Sequence, residues 1–89
     1  MPKAEISWKR VTEEGLKLQV NARRVGREWR FFSRKRRFDP WQRVKEPPLE
    51  DWLELLDAVR RLVTRRRYQP DDEKRLRLRI RERFPEADA

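Results

Sequence analysis

Residues 16–23 alternate along the chain. Leu16, Leu18, Val20 and Ala22 are apolar, whereas Lys17, Gln19, Asn21 and Arg23 are polar. A period of two puts the two sets on opposite faces of a β-strand. Upstream, Ile6 and Trp8 alternate with Ser7 and Lys9, and downstream Val25, Trp29 and Phe31 share one parity. Gly15 and Gly26 fall between these runs, where a hairpin needs a residue that tolerates positive φ. The pattern predicts an antiparallel meander with strands at about 4–12, 16–23 and 27–37. Phe38-Asp39-Pro40 reads as a turn, and Trp41-Gln42-Arg43-Val44-Lys45 as a short fourth strand.

Beyond Pro47-Pro48 the period changes. Proline is tolerated in a first helical turn, and Glu50 and Asp51 follow where the N-terminal dipole favours acids. Trp52, Leu55, Leu56, Val59, Leu62 and Val63 then recur at intervals of three and four, forming one apolar stripe closed by Arg65-Arg66-Arg67. The same grammar repeats after Tyr68-Gln69-Pro70, with Asp71-Asp72-Glu73 at the start and basic residues from Lys74 to Arg83. Leu76, Ile80 and Phe84 fit a helix, yet Leu76 to Arg81 also alternates like a strand. The acidic start and basic end favour the helix. The expected fold is α+β: a single domain, 1–89, with an antiparallel three- to four-stranded meander packed on one face by an amphipathic helix, and a second C-terminal helix. Its sheet half spans about 4–45, the main helix 47–67, the second helix 70–84 and a tail 85–89.

Composition makes that core thin. Charged residues are 46% of the 89 and hydrophobic residues 36%. Leu, Ile, Val and Phe together sit just above the ~20% below which strongly charged chains stay unfolded, and four Trp add apolar bulk. A domain this small leaves a large share of its surface exposed, so partner contacts or dimerisation through the helices would supplement it. There is no His and no Cys, which removes imidazole bases, thiolate nucleophiles, disulfides and zinc sites of the usual kind. Two glycines cannot build a phosphate-cradling loop. Glu13, Glu14, Glu28 and Asp39 are scattered, so neither a catalytic nor a metal-binding set is expected, and no enzyme activity, cofactor or small-molecule substrate. No long apolar run is present, which predicts no membrane span. An intracellular location follows as the expectation: cytoplasm or nucleoid, or the nucleus in a eukaryote.

Charge placement sharpens the reading. The chain carries a formal +9. Residues 1–46 hold 14 Lys and Arg against 6 Asp and Glu, whereas residues 47–89 hold 11 against 10. A field of one sign attracts polyanions, and nucleic acid is the default partner. Arg60, Arg61 and Arg65 to Arg67 follow Glu50, Asp51, Glu54 and Asp57 as dipole complementarity and i,i+4 pairing would arrange them, so they read as structural. The strand arginines differ. With Leu16, Leu18, Val20, Trp29 and Phe31 turned inward, Lys17, Gln19, Asn21 and Arg23 face outward with Arg30, Phe32, Arg34 and Arg36. Phe32 thereby puts an aromatic ring on a basic face, where bases stack while arginines track phosphates. Its alternative is packing under a loop or against a dimer mate.

Trp8 and Trp29 read as core, and Trp41, beside Arg43, as either core or platform. Arg34-Lys35-Arg36-Arg37 is the densest basic run and predicts a flexible arm or ribbon tip that grips a phosphate backbone, or a nuclear localisation patch. The expected contacts are Lys17, Arg23, Arg30, Arg34, Lys35, Arg36 and Arg37 on phosphates, with Arg43 nearby and Phe32 and Trp41 on bases. Gln19 and Asn21 lie where they would reach base edges. Stacking predicts a preference for single-stranded DNA or RNA.

Trp29-Arg30-Phe31-Phe32, then Phe38-Asp39-Pro40-Trp41, then Leu49 to Val63 with Trp52 in its first turns resemble the single-stranded-DNA-binding folds of the transcriptional coactivator p15 and Pur-alpha groups. The likeness covers about residues 4–67. It implies dimerisation and a basic sheet face with exposed aromatics, with Arg30, Phe32 and Arg34 as contact residues. A three-stranded sheet plus helix is also similar to the plant ethylene-response and integrase arm-binding domains, which lay a sheet in the duplex major groove. Two further readings stand beside these: a protein-interaction or dimerisation module using the amphipathic helices, and, least supported, a nuclease.

Overall fold

The computed structural model describes residues 5–26 and 28–87. The chain divides into two compact units, Met1–Pro47 and Pro48–Ala89, at the proline pair. The first unit is a four-stranded antiparallel meander of β1 (Glu5–Val11), β2 (Lys17–Val25), β3 (Glu28–Arg34) and β4 (Gln42–Val44), in that spatial order. It is open, with β1 and β4 at its edges.

Both early turns rest on their glycines. Gly15 closes the β1–β2 connection with φ +83, its N–H donating to the Thr12 carbonyl at 2.9 Å while the Thr12 N–H reaches the Leu16 carbonyl at 2.8 Å. A turn followed by a left-handed residue is a common three-residue hairpin loop, and the left-handed position suits glycine. Gly26 takes φ +64 just after Val25, which pairs with Glu28. That is the positive φ the first position of a two-residue hairpin requires.

Register sorts the side chains into two faces. Directly paired residues share a face, so Ile6, Ala22, Phe31 and Val44 form one row and Trp8, Val20 and Ser33 the next. Val20, Ala22 and Phe31 are buried here. Trp8 on β1 and Phe31 on β3 meet edge to face, 6.1 Å between centroids at 76°, across the intervening β2. Ala22, level with Phe31 on that strand, is small enough to leave the room.

The second unit is a helical hairpin of α1 (Leu49–Thr64) and α2 (Pro70–Arg83). Segment 74–81, ambiguous in sequence, is helical. Trp52, Leu55, Leu56, Ala58 and Val59 of α1 are buried, as are Leu76 and Ile80 of α2. The Arg83 guanidinium lies over the Trp52 ring at 5.5 Å, and Arg60 faces Glu73 at 3.8 Å, so opposite ends of the two helices meet and the hairpin is antiparallel. α1 ends in a doubly bonded cap: the Arg66 N–H reaches the Val63 carbonyl at 2.9 Å and the Arg67 N–H the Leu62 carbonyl at 2.8 Å. This is the Schellman arrangement, which puts its pivot residue in the left-handed region and most often uses glycine there. Here the pivot is Arg66, at φ +62. α2 begins at Pro70 with Asp72 turned back on its own N-terminus. The Gln69 N–H donates to Asp72 Oδ2 at 2.9 Å, and Arg75 Nη2 reaches Asp72 Oδ1 at 2.6 Å. Among the described residues no helix is long and apolar enough to cross a membrane.

Candidate nucleic-acid interface

The face of the sheet opposite Phe31 is built in rows. Glu5, Arg23 and Arg30 stand level, then Ser7, Asn21, Phe32 and Arg43, then Lys9, Gln19 and Arg34, and last Val11 and Lys17. Alternation along each strand therefore brings Lys17, Arg23, Arg30, Phe32, Arg34 and Arg43 onto one surface. Arg10 and Arg24 fall on the opposite, apolar face by the same parity. Like charges directly opposite one another, as Arg23 and Arg30 are, destabilise a sheet.

The basic run is not a third-strand extension. β3 stops at Arg34, and Arg36 to Asp39 close a turn. The Asp39 N–H donates to the Arg36 carbonyl at 3.0 Å, and the Arg36 N–H donates to Asp39 Oδ2 at 3.2 Å. Continued pairing would have pointed alternate cations of Arg34-Lys35-Arg36-Arg37 to the apolar face, and a turn avoids that. Lys35, Arg36 and Arg37 are exposed on it. Of the two expected forms, flexible arm or ribbon tip, the run takes the second, a closed turn. Because Arg34 pairs with Gln19 and Lys17 lies two residues before Gln19, this turn and Lys17 share one end of the sheet.

Two assemblies on the face were not visible in the sequence. Asn21 is 0% exposed although it sits among polar neighbours. Its Nδ2 donates to Glu5 Oε1 at 2.5 Å and Ser7 Oγ at 2.8 Å, and its Oδ1 accepts from Arg23 Nε at 3.0 Å. The Arg23 guanidinium lies over the Phe32 ring, 4.9 Å from its centroid. Beside it, Arg34 Nε donates to Gln19 Oε1 at 2.7 Å while its guanidinium lies over Trp41 at 4.1 Å. Both are cation–π distances. Asn21 and Gln19, expected to reach toward base edges, instead spend their amides on orienting arginines. Phe32, expected either as a base platform or packed under a loop or a dimer mate, is half-buried beneath Arg23.

Phe38 is the residue sequence reasoning passed over. It is 92% exposed in the basic turn, with Arg37 6.0 Å from its ring centroid. An aromatic inside a run of cations was the available signal. The helical unit behaves differently. Arg61 pairs with Asp57, Arg75 with Asp72, Arg60 and Arg77 with Glu73, and Arg79 with Glu82. Among the described residues none of Lys17, Arg23, Arg30, Arg34 or Arg43 has a carboxylate within ion-pair distance. Acids accompany these helix arginines, whereas those five cations of the polar face lack an ion-paired acid among the described residues.

No family model, curated protein or solved structure matches this chain.

Proposed function

We propose that the protein is a small nucleic-acid-binding module that favours single strands, using the polar face of its sheet. The observation that supports this is the co-facial set Lys17, Arg23, Arg30, Arg34 and Arg43 with Phe32 and Trp41, on a face where cations outnumber the acids, Glu5 among them, and flanked by the basic turn at Lys35, Arg36 and Arg37. Cations placed this way neutralise phosphates and release counterions, and the flat groups among them offer sequence-tolerant stacking.

The test is fluorescence anisotropy with labelled single-stranded DNA, single-stranded RNA and duplex DNA over a range of salt. For a single strand, log K falls with log salt at about −0.7 per neutralised phosphate, so five engaged cations predict a slope near −3.5. Preference for duplex would move the reading to groove binding by the sheet. Absence of binding to all three at low salt refutes it. A second reading, self-association through the helical hairpin, is favoured by Leu53 and Leu78, large apolar residues 40% and 58% exposed. Sedimentation showing a dimer whose stability ignores salt, with no nucleic-acid binding, would select it.

A further inference from the structure

We infer that the base-stacking surfaces of this face are the guanidinium planes of Arg23 and Arg34, each held as a shelf by a ring on one side and a side-chain amide at its edge. The inference rests on the nucleic-acid reading and changes which groups meet the bases. A guanidinium has two faces and a fork of five N–H donors. In Arg34 one face lies on Trp41 and the Nε–H is taken by Gln19 Oε1. In Arg23 one face lies on Phe32 and the Nε–H is taken by Asn21 Oδ1. What remains on each is the outer face and the terminal Nη groups.

Those two remainders match the two parts of one unpaired nucleotide. The outer face accepts a base plane, as arginine planes do in single-strand recognition, and the Nη groups donate to a phosphate oxygen. A duplex hides its base faces within its own stack, so it would meet the Nη groups alone. The device is built twice from different residues, with asparagine and phenylalanine in one copy and glutamine and tryptophan in the other. In the first copy the orienting amide is itself fixed, since Asn21 is fully buried and bonded to Glu5 and Ser7. Holding a long side chain in place before binding lowers the entropy lost on binding. Arg34 stands level with Gln19, four residues along β2 from Arg23. At ~3.3 Å per residue the two shelves start about 13 Å apart along the strand, far enough to serve different bases.

The experiment compares three labelled probes of equal length: mixed-sequence single-stranded DNA, the same sequence as RNA, and an abasic sugar–phosphate strand. Arg23→Lys and Arg34→Lys keep the charge and lose the plane. Wild type is expected to bind the base-bearing strands roughly tenfold or more tighter than the abasic strand, the scale of one good stacking contact. Each lysine variant is expected to cut the ratio of base-bearing to abasic affinity severalfold, and the double variant to abolish it, with the salt slope kept because the charge is kept. Gln19 acts as a positioning residue, so Gln19→Met is expected to shrink the margin severalfold, whereas a merely structural role would weaken both probe types alike. Whichever of the DNA and RNA strands binds tighter supports the shelf equally and identifies the source of the bases. Thermal unfolding of each variant confirms that it is folded. If the lysine variants keep the full margin, or wild type shows none, the arginines act only as phosphate charges; the inference then fails while the nucleic-acid reading stands. If wild type binds no probe at low salt, both fail.

Discussion

Replacing Arg66 by glycine isolates the cost of one backbone conformation. Arg66 pivots the cap of α1 at φ +62, held by its own N–H to the Val63 carbonyl at 2.9 Å and by the Arg67 N–H to Leu62 at 2.8 Å. An L-residue in this region pays about 1–2 kcal/mol for the clash of its Cβ with the backbone. Glycine avoids the clash but loses about 0.5–1 kcal/mol more conformational entropy on folding. The net expectation for Arg66→Gly is a stabilisation of about 0.5–1 kcal/mol. In a domain of this size that raises Tm by roughly 2–8 °C, read by far-UV circular dichroism. Two controls separate backbone from charge. Arg66→Gln removes the cation and keeps the Cβ, so it should not give a rise of this size. Arg65→Gly, one residue earlier at φ −86, has no clash to relieve and should lower stability by about 0.5–1 kcal/mol. A midpoint for Arg66→Gly at or below wild type, or an equal rise in Arg66→Gln, would refute the reasoning.

Two further outcomes follow from buried polar groups. Asn21→Ala removes three hydrogen bonds from a fully buried position, two of them to charged partners. Glu5 and Arg23 are exposed and regain water, so the expected loss in denaturant unfolding is about 2 kcal/mol rather than the sum of three bonds; a loss under ~0.5 kcal/mol would mean that the network is dispensable. Asp72→Ala strips the acceptor from the Gln69 N–H and from Arg75 at the start of α2. It should cost about 1–2 kcal/mol in thermal unfolding, whereas Asp71→Ala, at an exposed neighbour, should cost less.

Much of the architecture was legible because it is written in periods. The alternation of Leu18, Val20 and Ala22, the glycines at the turns and the three-four spacing from Trp52 to Val63 each specify one element and one face. Parity also placed Phe32 among the cations, as the register has it. Other features are relations between strands, and no period along one strand encodes them. Asn21 is buried because Ser7 and Phe32 stand level with it, and Arg34 reaches Gln19 because those two pair. The end of β3 was misjudged for a related reason. Arg34 to Arg37 read as a continuation until the Asp39 carboxylate, three residues on from Arg36, is seen to capture its N–H and close the turn.

The open sheet carries a consequence for behaviour in concentrated mixtures. β1 is a seven-residue outer strand whose free side hydrogen-bonds to no other strand among the described residues. Such an edge is a template for pairing with a second chain, and charge is the usual guard against it. Here Lys9 and Arg10 lie on that strand, and the cations of β2 and β3 stand beside it. A polyanion added toward charge neutrality screens the charges that keep edges apart. Turbidity should therefore peak near equivalence and clear again with excess polyanion, as the complexes take on net negative charge.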